Sequence, residues 1–139
     1  MISAVAELCN DRGVALYESE DLDGALLEFD QTLALRPRHE RALCNTGLVH
    51  WARGHERAAL STFDAAILAA KGKNPHSLNN RGALKLETLG GGVEAAAASL
   101  NDFHAALLLD PAYETARRNR DSALTLLAEP VPLSPVADL

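Results

Sequence analysis

The sequence predicts an all-α protein built from repeated pairs of helices. Alanine and leucine dominate the hydrophobic 47% of its 139 residues, and six residues are aromatic. Both dominant types form helices well, and small side chains let helix axes approach closely. β-branched residues never form the alternating runs that a half-buried strand requires. The third observation is that the sequence repeats itself at a spacing of 34 residues, which is typical of helical repeat proteins.

A glycine, a small residue and a phenylalanine mark each copy of the repeat. They are Gly13, Ala25 and Phe29, then Gly47, Ala59 and Phe63, then Gly82, Ser99 and Phe103. The third copy has insertions, since its glycine and phenylalanine are 21 residues apart instead of 16. Two helices of about 14 residues with short turns account for the repeat length. A glycine inside a helix costs about 1 kcal/mol relative to alanine, so its recurrence predicts close contact between the two helices.

This pattern resembles the tetratricopeptide repeat family over roughly residues 6 to 128. Family members pair a glycine-containing first helix with a second helix that carries small residues and an aromatic, and a proline follows. Pro37 and Pro111 match that proline, whereas Lys71 replaces it in the second copy. The resemblance implies a right-handed α-solenoid of three helix-turn-helix repeats, at about 6–39, 40–74 and 75–113, with a capping helix at 112–128.

The residue pattern predicts helices near 2–19, 23–36, 39–53, 56–70, 75–89, 93–109 and 112–128. The last helix is more polar than the others, as the end of a solenoid must be. Gly90, Gly91 and Gly92 are expected to form the turn inside the third repeat. They do not form a phosphate loop, because no strand precedes them and no Lys-Ser/Thr follows. The tail at 129–139 is rich in proline and is expected to be flexible.

Charge and composition narrow the range of functions. The net charge of −6, without a Lys/Arg cluster, disfavours nucleic acid as a partner. No run of about 18 apolar residues is present, so membrane insertion is not expected. The N-terminal sequence lacks a basic region followed by an apolar core, so no signal peptide is predicted and a cytoplasmic location is expected.

Catalysis, a metal and a cofactor are not expected. Cys9 and Cys44 lack a metal-ligand spacing and are expected to be reduced thiols. His50 and His55 are five residues apart, which takes them off a shared helical face and does not fit a zinc template. No histidine is placed by pattern to activate Cys44 as a nucleophile.

The resemblance implies that the first helices of the pairs line a concave face that binds partners. Helical spacing places thirteen candidate residues there: Glu7, Asn10, Val14, Tyr17, Arg41, Cys44, Leu48, Trp51, His76, Asn79, Ala83, Leu86 and Arg118. Tyr17, Trp51 and Leu86 occupy equivalent positions and should form one apolar row, with Glu18 and Glu87 among the charged residues at its rim. Such a surface suits an amphipathic helix or a partly apolar extended peptide. Alternatively, Tyr17 and Trp51 are ordinary packing residues of the adjacent helix pair.

The expected function is that of an adaptor that binds a peptide or helix of a partner protein. A cytoplasmic secretion-type chaperone that shelters an apolar partner segment is one alternative, and a self-assembling scaffold, a homo-oligomer, is another. Some family members bind the acidic C-terminal tails of heat-shock chaperones through lysine, asparagine and arginine. The matching positions here lack those cations, which disfavours such tails: they hold Asn10, Val14, Asn45, His76 and Asn80.

Overall fold

Seven α-helices and no strand make up the residues that the computed structural model describes, which are 1–88, 90 and 92–128. The helices are α1 (Ile2–Glu18), α2 (Leu22–Leu35), α3 (Glu40–Ala52), α4 (Glu56–Ala69), α5 (Pro75–Thr88), α6 (Val93–Leu109) and α7 (Glu114–Ala128). The prediction of an all-α helical repeat solenoid is confirmed. The predicted flexible tail at 129–139 lies outside the described residues, as does Gly91 of the predicted glycine turn.

The last helix begins two residues later than the sequence predicts, at Glu114 instead of position 112. The carboxylate of Asp110 accepts a hydrogen bond from the backbone N–H of Ala112 (3.1 Å), and the N–H of Tyr113 donates to the carbonyl of Asp110 (3.1 Å). These bonds hold the residues after Pro111 in a turn. A side chain that bonds to nearby backbone in this way competes with the first turn of a helix.

The helices pack as three consecutive pairs followed by a capping helix. Each first helix (α1, α3 and α5) packs on the second helix that follows it (α2, α4 and α6), and α7 packs on α5 and α6. Successive first helices also contact one another, as α5 and α7 do, whereas within the described part of the chain no second helix contacts another. The first helices therefore lie closer together and form the inner, concave row.

A phenylalanine ring lies against the glycine of the first helix in every pair. A Cβ atom added at Gly13 would lie 2.4 Å from Cε1 of Phe29, and one added at Gly47 would lie 2.5 Å from Cε1 of Phe63. In the third pair the corresponding distance, from Gly82 to Phe103, is 2.7 Å. All three rings are at most 1% exposed. Interiors are packed too densely to admit an extra methyl group at such distances, so the sequence prediction of close contact at the glycines agrees with the structure.

The turn inside each pair contains a residue in the left-handed region. Gly54 and Gly90 have φ angles of 76° and 80°, and Glu20 occupies the same place in the first pair with a φ of 64°. Glycine adopts this conformation without a steric penalty, whereas a residue with a Cβ atom is disfavoured there. The first repeat therefore keeps a carboxylate at a position where the other two repeats have glycine.

We expect Gly47→Ala to lower the free energy of unfolding, although alanine favours helix by about 1 kcal/mol. The new methyl group must displace the Phe63 ring, and overpacking of this kind costs about 1–3 kcal/mol. Urea unfolding followed by circular dichroism measures the change. In a Phe63→Leu background the same Gly47→Ala substitution should cost less. Equal costs in the two backgrounds would show that the ring is not the reason for the glycine.

We expect Glu20→Gly to raise the free energy of unfolding by about 1 kcal/mol, because it relieves the left-handed conformation of a residue with a Cβ atom. The control is Ala15→Gly at an exposed position inside α1, where glycine should destabilise by about 1 kcal/mol relative to alanine. Both are measured by urea unfolding. A loss of stability in both variants would refute the assignment of backbone strain to position 20.

Candidate partner-binding groove

Three cavities lie along the concave row of first helices, and together they are called the groove here. The cavity at the ends of α1 and α3 has a volume of about 470 Å³ and is lined by Tyr17, Glu18, Glu20, Leu22 and Ala52. The next, of about 230 Å³, shares Tyr17 and Glu18 and adds Val14, Phe29, Asn45 and Leu48. The third, of about 360 Å³, is lined by Trp51, Ala83, Leu86, Glu87 and Asn119. Tyr17, Trp51 and Leu86, the row proposed from the sequence, thus line cavities on successive first helices.

Tyr17 and Trp51 are packing residues and cavity-lining residues at the same time. Both are partly buried and pack against core clusters of the first and second pairs. The Trp51 ring meets Phe63 edge-on, with centroids 6.4 Å apart and an interplanar angle of 85°. Its indole Nε1 donates a hydrogen bond of 2.9 Å to Oε2 of Glu87 on α5. Packing against the core therefore does not prevent these two aromatic rings from lining the groove, and their contacts within the chain hold them in place.

Three candidate residues are buried between helices and do not form an accessible lining. Asn10, Cys44 and Asn79 are 0%, 6% and 3% exposed. Each accepts a hydrogen bond from an asparagine on the next helix of the inner row: Asn45 to Asn10 (3.1 Å), Asn80 to Cys44 Sγ (3.3 Å) and Asn119 to Asn79 (2.9 Å). These three side chains face the neighbouring helix of the inner row, and their hydrogen bonds link successive helix pairs and the cap. This placement corrects the one expected from the sequence.

The asparagines that donate these bonds are the accessible members of each pair. Asn45 and Asn119 line cavities, and Asn80, like them, is partly exposed. The expectation from the sequence omitted Asn119 and treated Asn45 and Asn80 only as substitutes for missing cations. Asn45 and Asn80 share a repeat position, and that recurrence is the signal that could have identified them.

Burial also makes Cys44 a poor nucleophile. Burial raises the pKa of its thiol, against the weaker opposing effect of hydrogen bonds with Ser77 and Asn80. A raised pKa lowers the fraction of reactive thiolate. Among the described residues, no group of three or more His, Cys, Asp or Glu side chains is arranged to hold a metal ion.

Glu7 lies toward the amino-terminal end of α1, whereas Glu18 lies at its carboxyl end. The Glu7 carboxylate contacts three basic side chains. Nδ1 of the buried His39 accepts the backbone N–H of Ala42 (3.1 Å), so Nε2 carries the hydrogen and donates to Oε1 of Glu7 (2.9 Å). This hydrogen bond is the largest of the influences that lower the pKa of Glu7, and Arg41 and Arg36 lower it further. The carboxylate is therefore held ionised by partners within the chain.

The two candidate arginines of the concave face also form ion pairs within the chain. Arg41 lies 3.2 Å from a carboxylate oxygen of Glu7 and 3.4 Å from one of Asp11. Arg118 is 74% exposed and lies 3.6 Å from Glu114 on its own helix, while the next residue, Asn119, lines the groove. His76 is exposed, with its ring centroid 4.9 Å from that of Tyr113. Arg41 is thus compensated by Glu7 and Asp11, whereas Arg118 shares the Glu114 carboxylate with Arg117.

None of the described helices is long and apolar enough to span a membrane. No family model and no curated protein matches the sequence.

Several solved structures share the fold at low sequence identity. The TPR domain of Arabidopsis OM64 is 21% identical, with a TM-score of 0.77, over 90% of this chain and 98% of that chain. The first TPR of Spaghetti (RPAP3), bound to the HSP90 peptide SRMEEVD, is 17% identical with a TM-score of 0.77, over 91% of this chain and 96% of that one. The Sgt2 TPR domain of Aspergillus fumigatus is 15% identical with a TM-score of 0.78, over 96% of this chain and 89% of that chain. The chain therefore has the fold of a tetratricopeptide repeat domain.

Proposed function

We propose that the protein is an adaptor whose groove binds a peptide or helix of another protein. The observation that carries this proposal is the series of cavities along the inner row, each lined by partly exposed apolar or aromatic side chains of first helices. Tyrosine and tryptophan are the residue types, with arginine, that most often dominate the energy of protein interfaces. Tyr17 and Trp51 occupy equivalent positions in the groove and are held by their own contacts, which limits the entropy lost on binding.

The structural neighbours support the same class of function. The first TPR of Spaghetti is bound to a short peptide, and the second TPR domain of human RPAP3 is in complex with the HSP70 peptide SGPTIEEVD. Those domains show that this fold accommodates a peptide of seven to nine residues.

Groove variants must change the surface without disturbing the core. Leu48 and Trp51 pack against the Phe63 cluster, so their replacement would mix folding with binding. Ala52 is exposed, whereas Ala83 is half-buried and packs against the Phe103 cluster, and both line cavities. The single variant Ala52→Arg, which leaves that cluster untouched, therefore accompanies the double variant and should also weaken binding. Replacing these two small residues with arginine fills the groove from two sides. Ala65 and Ala97 are exposed on the second helices α4 and α6 and allow a control with the same change in composition and charge.

We expect peptides selected from a random phage-displayed library on the wild-type chain to lose affinity at least about tenfold, about 1.4 kcal/mol, for the Ala52→Arg/Ala83→Arg variant. The reason is that the two long side chains occupy the cavities. Fluorescence anisotropy with the selected synthetic peptides measures the affinity, and circular dichroism checks the fold. The Ala65→Arg/Ala97→Arg control should bind as the wild type does. Equal binding by both double variants would place the peptides outside the groove and refute the proposal.

A further inference from the structure

The carboxyl ends of α1 and α3 form an acidic end of the groove. Glu18 and Glu20 line the cavity of about 470 Å³ together with Tyr17, Leu22 and Ala52. Glu87 lines the third cavity on α5. A cavity of this size lies within the range of about 300–1,000 Å³ that ligand sites occupy. Its walls combine an aromatic ring and aliphatic surface with two carboxylates.

These carboxylates have no cationic partner within the described part of the chain. Neither Glu18 nor Glu20 forms a side-chain hydrogen bond or ion pair there, and Glu87 accepts only the indole N–H of Trp51. The arginine at the end of α3, Arg53, is bonded to Asp23 on α2. Glu7, at the other end of the inner row, has three basic partners. The negative charge at the acidic end is thus not balanced by an ion pair with any described residue of the chain.

The backbone adds to this negative potential. α1 ends at Glu18 and α3 ends at Ala52, and the carboxyl end of a helix carries a partial negative charge of about half an elementary unit. No basic residue lies in the last turn of α1 to offset it. An acidic side chain at that position is unfavourable for the helix itself. A ligand carboxylate would be repelled from this cavity, whereas an ammonium or guanidinium group would be attracted.

We propose, resting on the function proposed above, that the partner segment is basic and apolar. A lysine or arginine of the segment places its aliphatic stem along Tyr17 and Leu22 and its charged end between Glu18 and Glu20. Long basic side chains combine apolar and charged contacts in this way, and an aromatic ring adds a cation–π attraction. Apolar residues of the same segment fill the neighbouring cavities beside Leu48 and Trp51.

The position of Glu20 agrees with this assignment. The equivalent residues of the other two repeats are glycines in the same left-handed conformation. Strained residues that persist in a fold are often retained for a functional reason. Glu20→Gly removes the carboxylate while favouring the observed turn, so a loss of binding in this variant cannot be attributed to unfolding.

The test uses the full chain and a random phage-displayed peptide library, followed by synthetic versions of the selected peptides. We expect the peptides that depend on the groove to be enriched in lysine or arginine next to apolar residues, relative to the input library. Their affinity should fall as sodium chloride is added, because salt screens exposed charges. The acidic peptide SGPTIEEVD, which contains no lysine or arginine and is in complex with a structural neighbour, serves as the probe of opposite charge and should show no saturable binding.

Charge variants separate this inference from general electrostatics. Glu18→Gln/Glu20→Gln should weaken the selected peptides about tenfold, since two exposed ion pairs together contribute on the order of one factor of ten. Glu20→Gly alone should also weaken them. The control, Asp30→Asn/Glu56→Gln, removes two exposed carboxylates elsewhere and should leave affinity within about twofold, a difference of less than 0.5 kcal/mol.

The outcomes distinguish the two proposals. Peptides that are lost with Ala52→Arg/Ala83→Arg but show no basic enrichment, or that bind the Glu18→Gln/Glu20→Gln variant unchanged, would overturn the basic-segment inference and leave the adaptor function standing. Groove-dependent binding of the acidic peptide SGPTIEEVD would overturn it as well. If no selected peptide depends on the groove, both proposals fail together.

Discussion

The contact between a phenylalanine ring and a glycine backbone, repeated in three helix pairs, sets the geometry on which the groove depends. With no side chain at Gly13, Gly47 or Gly82, each first helix approaches the ring of the following helix directly. That approach fixes the rotation of the first helix about its axis. The residues that face the inner row, and those that face the next repeat, follow from this rotation. Tyr17, Trp51 and Leu86 are placed in the groove because their repeat positions are constant relative to the glycine.

The inner row differs in charge from one end to the other, and the difference comes from side-chain pairing more than from composition. Glu7 and Asp11 are matched by Arg36, His39 and Arg41, which leaves that end compensated. At the other end Glu18 and Glu20 stand beside the negative ends of helices. The two ends of the groove therefore differ in electrostatic potential, which makes the groove directional. This direction gives a physical basis for orienting a bound segment, which apolar cavities alone would not supply.

The fold could be predicted from the sequence because its determinants are local and periodic. The 34-residue spacing and the glycine and phenylalanine positions locate all seven helices to within two residues at either end. The start of α7 was missed because it depends on a hydrogen bond from Ala112 to the Asp110 carboxylate, a local competition that hydrophobic periodicity does not register.

The candidate site was harder to predict for a geometric reason. Asn10, Cys44 and Asn79 lie on the predicted face of their helices, yet the close approach of successive first helices buries them. Neighbouring residues of a helix point about 100° apart around its axis. On α7 it is therefore Asn119, and not the predicted Arg118, that lines the groove. Such differences depend on the crossing angle and distance between helices, which helical spacing within one segment does not contain. Patterns within a helix thus predict a stripe, and packing between helices selects which part of it remains accessible.

In the proposed complex with a basic segment, stability and recognition compete at one position of the repeat, Glu20. The turn itself favours glycine, as Gly54 and Gly90 show by their φ angles. The carboxylate of Glu20 in the first repeat costs some of that stability and adds a negative charge to the lining of the cavity of about 470 Å³. Because each repeat contacts mainly its neighbours, a local cost of this kind does not disturb the other turns. A repeat protein can therefore vary its recognition residues one turn at a time while the Gly–Phe contacts keep the scaffold unchanged.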